Sequence, residues 1–395
     1  MQRSFVVIGA GYGDEAKGMT TVSIAEKNPG IQGIFRFNGG CQAGHTVAFG
    51  NHRVVNQSLN SGATCGISNT IYTPDVVVNP HVIECEMREN RNKFYVGHRV
   101  VVDSKNPWTT VLDSTANKII SEFNGTNMTC GHGINETLRR NEVVPIESVH
   151  AMFGVDLYRK IQETQEYYRT RFKKLGITDY PFFYQKESSE QITRILLAQS
   201  SNSSIVTSNE FKVDFGRTLI FEGAQGLRLD QEFGDFPYVT PSNTGLLNVV
   251  KYLRDNNPNS LITPVYCTRT FLTRHGDGPF NEDNPFVNEK FNYVDETNVA
   301  NQFQGNFKIG ILDIDALHDL IDKDMQRAIS NSVNLIEPPV ISLSHLDVLD
   351  YTPIRVKYKN KITEVTNFRE IVSMFKYRVM VFGRGPNVAQ WNNYF

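Results

Sequence analysis

The chain of 395 residues lacks the features that mark secreted, membrane or nucleic-acid-binding proteins. A net charge of −2 gives no general attraction for nucleic acid. The apolar run near the amino terminus, residues 5–8, is too short for a signal peptide or a membrane span. Five cysteines, an odd number without a Cys-x-x-Cys spacing, predict free thiols in a reducing compartment and therefore a cytoplasmic protein.

What is present predicts a mostly parallel sheet. Several apolar segments lack polar alternation, as expected of strands that helices cover on both faces. The predicted strands are 5–8, 33–37, 94–96, 99–102, 218–221, 262–266 and 339–343. Residues 155–175 have the spacing of an amphipathic helix, and Ser188 with Gln191 resembles a capping box before a helix at 192–197. Alternation over 351–365 predicts a hairpin that turns at Lys359 and Asn360.

No repeat, low-complexity tract or interdomain linker divides the sequence. We therefore expect an α/β fold in a single domain over 1–395, with flanking helices and with helical and hairpin insertions. The helical insertion is expected at about 107–215. In parallel α/β sheets, ligands bind at the carboxyl ends of the strands.

The most informative segment is the glycine-rich turn after the first predicted strand. Backbone N–H groups and a following helix N-terminus would bind phosphate there. A dinucleotide fingerprint begun at Gly9 fails, because its third glycine falls on Asp14. A P-loop begun at Gly11 fails, because Ala16 replaces its second glycine and Gly18 its magnesium-binding hydroxyl. The turn therefore predicts another kind of phosphate site, in which Asp14 lies among the amides and coordinates a cation or takes a proton.

Further short blocks follow this turn along the chain. In order, the set is 13–18 (Gly-Asp-Glu-Ala-Lys-Gly), 43–46 (Ala-Gly-His-Thr), 221–226, 237–244, 273–280 and 345–350. Together they resemble the signature of the adenylosuccinate synthetase family, whose fold is related to P-loop NTPases. The family joins L-aspartate to inosine monophosphate (IMP) at the expense of GTP. The resemblance implies a homodimeric, Mg²⁺-dependent C–N ligase of purine nucleotide biosynthesis, in the cytoplasm or, for a bacteriophage protein, in that of the host.

The resemblance also implies catalytic roles for individual residues. Asp14 is the expected base at purine N1 and a Mg²⁺ ligand, and the carbonyl of Gly44 is a second Mg²⁺ ligand. His45 is the expected acid on the leaving phosphate, and Lys17 is expected to hold phosphate charge. Nucleotide phosphates are further expected at Gly13, Glu15, Ala16, Gly18 and Thr46.

Ligand-binding roles are implied in the same way. The purine monophosphate is expected at Gln42, Thr129, Cys130, Gln225, Thr240 and Arg139, where Arg139 or Arg140 would reach the nucleotide of a partner subunit. The guanine of GTP is expected at His345, Asp347, Gly385 and Pro386. A carboxylate at Asp347 would accept from guanine N1–H and from the 2-amino group. L-Aspartate is expected at Asn306 and Lys308.

Departures from the family pattern leave the substrate open. Residues 297–313 contain no arginine where bacterial members have an arginine-rich aspartate loop, and they resemble archaeal and bacteriophage relatives. Gln42 replaces the usual asparagine, and His345 replaces the usual lysine. The bacteriophage branch attaches aspartate to deoxyguanylate (dGMP), which gives a precursor of 2-aminoadenine. Because Asp14 is retained where some of that branch have serine, we expect IMP, with dGMP as the alternative acceptor and ATP as the alternative to GTP.

Two other classes of protein are weighed against this one. An NAD-dependent oxidoreductase is suggested by Gly9 and Gly11, but Asp14 at the third glycine position argues against it. A purine-nucleotide-binding protein without catalysis is suggested by the arginine-free loop.

Overall fold

The structure is a computed structural model that describes most of the chain. It leaves out residues 1, 51, 90–96, 126–130, 179, 181–182, 184–185, 203 and 296–306, and the side chains of 52 and 186–187. The predicted strand 94–96 and the residues Thr129, Cys130 and Asn306 therefore lie outside the described residues.

In the described residues, ten strands form one large sheet and smaller ribbons flank it. The strands are β1 (Arg3–Gly9), β2 (Ile34–Arg36), β3 (His45–Phe49), β4 (His52–Asn56), β5 (Asn69–Tyr72), β6 (Arg99–Val102), β7 (Ile205–Thr207), β8 (Leu219–Gly226), β9 (Leu261–Arg269), β10 (Leu272–His275), β11 (Phe307–Gly310), β12 (Leu312–Asp313), β13 (Val340–Ser344), β14 (Ile354–Tyr358), β15 (Lys361–Val365), β16 (Arg378–Gly383) and β17 (Trp391–Asn393).

The large sheet has the order β17-β16-β13-β9-β1-β8-β2-β5-β6-β7. All neighbours in it are parallel except β16 and β17. The helices are α1 (Lys17–Lys27), α2 (Pro80–Glu89), α3 (Val111–Asn124), α4 (Ile134–Asn141), α5 (Ser148–Phe153), α6 (Leu157–Leu175), α7 (Lys186–Ser200), α8 (Leu247–Asn256), α9 (Ile314–Asn331) and α10 (Phe368–Met374). The predicted α/β architecture with a mostly parallel sheet is confirmed.

Strand β1 lies at the centre of the sheet because both of its faces are apolar. Val6 and Ile8 pack into the cluster that contains residues of α8 and α9, whereas Phe5 and Val7 pack into the cluster that contains Ile24 of α1. Successive side chains of a strand point to opposite faces, so four consecutive apolar residues supply two buried faces.

Most of the predicted elements are observed. The six predicted strands that fall on described residues, the helix near 155–175 and the hairpin of β14 and β15 are all present. Lys359 and Asn360 have φ values of 50° and 58°, as a type I′ hairpin turn requires. The capping box was a wrong prediction, because α7 begins at Lys186 and places Ser188 inside the helix. A serine three residues before a glutamine also occurs within amphipathic helices, where it does not mark a start.

Helices α3 to α7 occupy much of the predicted insertion, and α3, α5, α6 and α7 pack around a second apolar core. Trp108, Tyr168, Phe172 and Phe183 are at its centre. Whether this region is an insertion into a single domain stays a prediction. In the described part of the chain, we found no helix that is both long enough and apolar enough to span a membrane.

The carboxyl ends of the central strands carry unusual turns. Asp14 and Ala16 follow β1, Gln225 ends β8 and His345 follows β13, and all four have a positive φ between 58° and 61°. Residues other than glycine rarely take this conformation, and they cluster where backbone strain serves a site. These turns meet around one pocket.

Candidate active site

A pocket of about 900 Å³ opens at the carboxyl edge of the sheet. It brings together most of the residues that the sequence singled out: Gly13, Asp14, Glu15, Ala16, Lys17, Gly18, Gln42, Gly44, His45, Thr46, Gln225, Thr240, His345, Asp347, Gly385 and Pro386. A pocket of this size accommodates nucleotide-sized ligands. The roles assigned to these residues stay predictions.

The glycine-rich turn is organised around Glu15. Its Oε1 accepts from the backbone N–H groups of Gly11 at 2.8 Å and Gly13 at 2.9 Å, and its Oε2 lies 3.1 Å from Nζ of Lys17. The acid among the loop amides is therefore Glu15 and not Asp14, which corrects the expectation from sequence. Because Gly11 and Gly13 are already bonded, an anion must use donors further along the turn.

Those donors lie at the start of α1. Ala16, at the N-cap, has no side-chain hydrogen bond, and Ala16, Lys17 and Gly18 line the pocket. The unpaired N–H groups of a helix N-terminus and its dipole attract phosphate. A Cβ atom on Gly18 would lie 2.7 Å from Oγ of Ser61 and 3.2 Å from Cβ of His45. Glycine at this position therefore lets His45 pack against the helix start.

His45 is buried beside a carboxylate. Its Nδ1 lies 3.0 Å from Oε1 of Glu222, which is fully buried on β8. Burial raises the pKa of Glu222, but His45, Arg36 and Ser61 together lower it to about 2, so the carboxylate is ionised. Burial also lowers the pKa of His45, and the Glu222 carboxylate opposes this shift. Although Nδ1 is this close to Glu222, neither ring nitrogen of His45 makes a hydrogen bond of ordinary geometry in the described part of the chain.

Asp14 lines the pocket, and Arg269 fixes its backbone. Nε of Arg269 donates to the carbonyl of Asp14, while Arg269 also lies 3.1 Å from Oδ2 of Asp295. Oδ2 of Asp14 lies 3.4 Å from Nε2 of His275, and the side chain is 27% exposed. The carboxylate is thus accessible from the pocket, whereas the carboxylate of Glu15 is not.

The donor set suits Mg²⁺ together with phosphate. The Asp14 carboxylate and the exposed Gly44 both lie on the pocket wall and offer hard oxygen atoms. Proteins usually hold Mg²⁺ through one or two carboxylates, with substrate phosphates and water completing the octahedron. Across the described residues, we found no group of three or more His, Cys, Asp or Glu side chains able to hold a metal.

Sequence reasoning missed four side chains of this site. Three of them line the pocket, namely Arg269, Arg274 and His275. The fourth is Glu222, whose carboxylate lies 3.0 Å from Nδ1 of His45. Arg274 lies 4.3 Å from the ring centroid of Tyr12 and donates to the carbonyls of Asp277 at 2.6 Å and Pro279 at 2.8 Å. All but Arg269 stand inside the blocks at 221–226 and 273–280, which was the available signal.

One end of the pocket has the character of a base site. His345 is held by a 3.0 Å contact between its Nδ1 and Oγ of Ser344, and burial together with Arg269 lowers its pKa well below the ordinary value. Burial raises the pKa of Asp347. Gly385 has a φ of 151°, which side chains other than glycine rarely allow, so this turn favours glycine.

Another wall carries polar groups without partners. Oε1 of Gln42 and Oε1 of Gln225 are buried and have no hydrogen-bond partner among the described residues. Buried polar groups are normally bonded, so both side-chain amides are available to a ligand. Gln42 and Thr240 also line an adjoining cavity of about 320 Å³.

The structure does not place two of the predicted residues on this pocket. Lys308 pairs with Arg274 across β10 and β11 and lies 3.4 Å from Glu282. Arg139 is exposed on α4. Arg140 is fully buried in an ion pair of 2.9 Å with Asp113, which gives it a structural role in this chain.

The fold and the pocket define an α/β protein with a candidate anion site, because a helix N-terminus, a lysine and an accessible carboxylate meet at the carboxyl edge of a parallel sheet. The sequence profile of the family described as adenylosuccinate synthetase matches residues 6–376. The chain therefore belongs to the adenylosuccinate synthetase family.

Individual relatives agree with this assignment. The chain is 29% identical over 289 residues to adenylosuccinate synthetase of Clostridium beijerinckii, covering 70% of this chain and 65% of the relative. It is 28% identical over 302 residues to that of Bifidobacterium adolescentis, covering 70% and 64%. The chain thus spans just under two thirds of the length of these relatives.

Solved structures share the fold. Fully ligated adenylosuccinate synthetase from Plasmodium falciparum superposes with a TM-score of 0.70 at 18% identity, over 98% of each chain. Succinoaminodeoxyadenylate synthetase from cyanophage S-2L, bound to dGMP and to dATP as an energy donor, gives 0.62 at 14% identity, over 100% of this chain and 96% of the other. At these identities the likeness is one of fold alone.

Proposed function

We propose that the protein is a GTP-dependent ligase that joins L-aspartate to C6 of a 6-oxopurine nucleotide, with IMP as the acceptor and adenylosuccinate as the product. The observation that carries this proposal is the meeting of Asp14, Lys17 and His45 at the start of α1. The same pocket is also lined by Gln42, Gln225 and Thr240 and by His345 and Asp347. The proposal includes a cytoplasmic homodimer that functions in purine nucleotide biosynthesis.

The chemistry requires a base, a proton donor and charge neutralisation. Replacing the 6-oxo group by an amine first converts it into a phosphate leaving group: O6 attacks the γ-phosphorus, GDP leaves, and the aspartate amine then displaces phosphate from C6. Asp14 takes the N1 proton, which makes O6 a nucleophile. His45 would donate a proton to the departing phosphate oxygens, while Lys17 and the start of α1, which line the same pocket, would balance their charge.

Mg²⁺ fits the same site. The Asp14 carboxylate and the Gly44 carbonyl would hold it, and when bound it neutralises charge on the phosphates being cleaved. Asp14 then serves both the cation and the N1 proton, which is why its carboxylate has to face the pocket while that of Glu15 is bonded within the turn.

A second acceptor, dGMP, is favoured by a separate observation. The unpaired Oε1 atoms of Gln42 and Gln225 could accept hydrogen bonds from the 2-amino group that guanine has and hypoxanthine lacks. The fold likeness to the cyanophage enzyme is compatible with this acceptor, and with ATP or dATP as the energy donor.

Mass spectrometry of the products tests the proposal. The protein is incubated with Mg²⁺ and L-aspartate, with IMP, GMP or dGMP in separate tubes and with GTP or ATP in parallel sets. A succinylated product from IMP with GTP is the expected result. Product from dGMP alone would move the chain to the 2-aminoadenine precursor reaction. No product in any tube, together with measurable nucleotide binding, would overturn the ligase and favour the binding protein.

A further inference from the structure

A long loop carries part of the pocket wall. Residues 227–246 join β8 to α8, and a 3₁₀ turn at 227–229 is their only regular element. We call them the wall segment, because Leu229, Tyr238 and Thr240 line the pocket. A loop lacks the hydrogen bonds of a helix or of a strand ladder, so its backbone has to be held by other contacts. The position of Thr240 therefore depends on how the wall segment is anchored.

Asp230 closes the wall segment on itself. It is 0% exposed, and its Oδ2 accepts from the N–H of Thr244 at 2.7 Å, while its Oδ1 accepts from the N–H of Glu232 at 3.0 Å. The N–H of Thr240 donates to the carbonyl of Leu229, the residue before Asp230, at 2.8 Å. Asp230 thus joins the beginning of the wall segment to its end, and Thr240 is bonded beside this junction.

Asp324 anchors the same segment to the rest of the molecule. It lies on α9, is 0% exposed, and accepts from the N–H of Leu246 at 3.1 and 3.2 Å. The hydroxyl of Tyr266, on β9, donates to its Oδ2 at 2.8 Å. The end of the wall segment is therefore bonded to a carboxylate that α9 and β9 hold in place.

One guanidinium group joins these two carboxylates. Nη1 and Nη2 of Arg327, on α9, lie 3.2 and 3.3 Å from the two oxygens of Asp230, and Nη2 lies 3.1 Å from Oδ1 of Asp324. Nη1 also donates to Asn243 at 3.2 Å, and the guanidinium carbon lies 4.0 Å from the ring centroid of Phe233. Buried carboxylates are costly without a cation, and the planar fork of arginine bonds one of them through two nitrogens, which lysine cannot do.

We propose that Arg327 is a positioning residue: by bridging Asp230 and Asp324, it fixes the wall segment against α9 and so keeps Thr240 at the pocket. Arg327 is not among the residues that line the pocket in the described part of the chain, so it acts through the segment that it holds. That the acceptor nucleotide is the ligand at Thr240 rests on the proposed function, whereas the anchoring of the wall segment does not.

Kinetics of Arg327→Lys test the effect on the site. Lysine keeps the positive charge but loses the two-nitrogen bond to Asp230, so the wall segment should loosen. We expect KM for the acceptor nucleotide to rise about 10-fold, with KM for GTP changed by less than about threefold, because Thr240 contacts only the acceptor in the proposed site. Asp322→Asn is the matched control: it removes an ion pair of the same helix with Lys376, which lies outside the wall segment, and should leave both KM values unchanged. A rise of both KM values by the same factor, or of neither, would overturn the proposal.

Hydrogen exchange measured by mass spectrometry tests the anchoring without turnover. In Arg327→Lys, peptides within 227–246 should exchange about 10-fold faster than in the parent protein, while peptides from β1 and β6 keep their rates. Asp322→Asn should leave the wall segment at the parent rate. Unchanged exchange in the wall segment, or the same acceleration in β1, would overturn the proposal even if the ligase is active. A local acceleration would uphold it even if no product forms.

A second variant serves if Arg327→Lys does not fold. Asp324→Asn keeps an oxygen for the N–H of Leu246 but removes the charge that pairs with Arg327. Exchange in the wall segment should again rise, by about threefold or more, with β1 unchanged. An unaltered wall segment in folded Asp324→Asn protein would overturn the proposal.

Discussion

At the phosphate end of the pocket, four side chains that are at most 6% exposed form two close pairs, Lys17 with Glu15 and His45 with Glu222. The base end of the pocket, named for the expected nucleobase, is formed by His345 and Asp347. Both side chains are partly exposed, and His345 contacts the uncharged side chain of Ser344. A substitution within either pair leaves a buried charge without its partner. A substitution of His345 or Asp347 instead changes the groups that contact the bound ligand. For the proposed function, we therefore expect the rate of the reaction to depend on the first end and the nucleotide preference on the second.

The largest effect is expected at the phosphate end, for Asp14→Asn. Asparagine tolerates the left-handed backbone of this residue, so the turn should persist while the base is lost. We expect kcat to fall by about 1000-fold with nucleotide binding retained. Asp156→Asn is the matched control, since Asp156 is exposed and has a φ of 56° outside the pocket. Turnover within about tenfold of the parent would show that Asp14 is not the catalytic base.

A smaller loss is expected for Arg269→Lys. Lysine lacks the Nε–H that donates to the Asp14 carbonyl and cannot reproduce the contacts with Tyr293 and Asp295. Small displacements of a catalytic group cost up to about 100-fold, so kcat should drop by about 10- to 100-fold. Arg217→Lys, at an exposed ion pair with Asp214, should leave kcat unchanged. If Arg269→Lys behaves like that control, the backbone of Asp14 does not need this support.

At the base end, His345→Lys should change the preference between GTP and ATP rather than kcat. The pKa of His345 is lowered by burial and by Arg269, so a neutral ring faces the ligand, whereas lysine would donate to a carbonyl such as guanine O6. The ratio of kcat/KM for GTP to that for ATP should rise by about 3- to 30-fold, with kcat for GTP within about threefold of the parent. A fall in kcat comparable to that of Arg269→Lys would contradict the division between the two ends.

The smallest effect is expected far from the pocket, in the hairpin of β14 and β15. Replacing Lys359 and Asn360 by Asn-Gly supplies residues that favour a type I′ turn. The free energy of unfolding, measured by urea denaturation, should rise by about 1 kcal/mol. Turnover should not change. An altered kcat would mean that stability and activity are coupled through the whole molecule.

The sequence predicted those parts of the fold that depend on local pattern. Unbroken apolar segments located β1, β6, β8, β9 and β13, because strands covered on both faces need no polar alternation. Strand β5 was missed because its sequence, Asn-Thr-Ile-Tyr, is short and half polar. Its two polar residues are buried all the same, and the Asn60 amide N–H donates to Thr70 at 2.9 Å.

The site was predictable as a set of segments but not as a geometry. Nothing in the order Asp14-Glu15 tells which carboxylate turns inward, since that depends on the left-handed backbone at Asp14. The contact between His45 and Glu222 joins residues far apart in the chain, because it brings β3 of a small ribbon against β8 of the large sheet. The aspartate-binding role of Lys308, expected from its place in the arginine-free loop 297–313, stays a prediction, and the structure adds that its Nζ lies 3.4 Å from Glu282.

The central place of β1 has a consequence for protein synthesis. Val6 pairs with Phe221 on one side and with Pro264 on the other, so β1 leaves the ribosome long before either strand that covers its edges. Until then an apolar strand exposes unpaired backbone groups, which promotes association between nascent chains. Products truncated before β8 should therefore be insoluble, and soluble expression should depend on chaperones that bind β1 as it emerges.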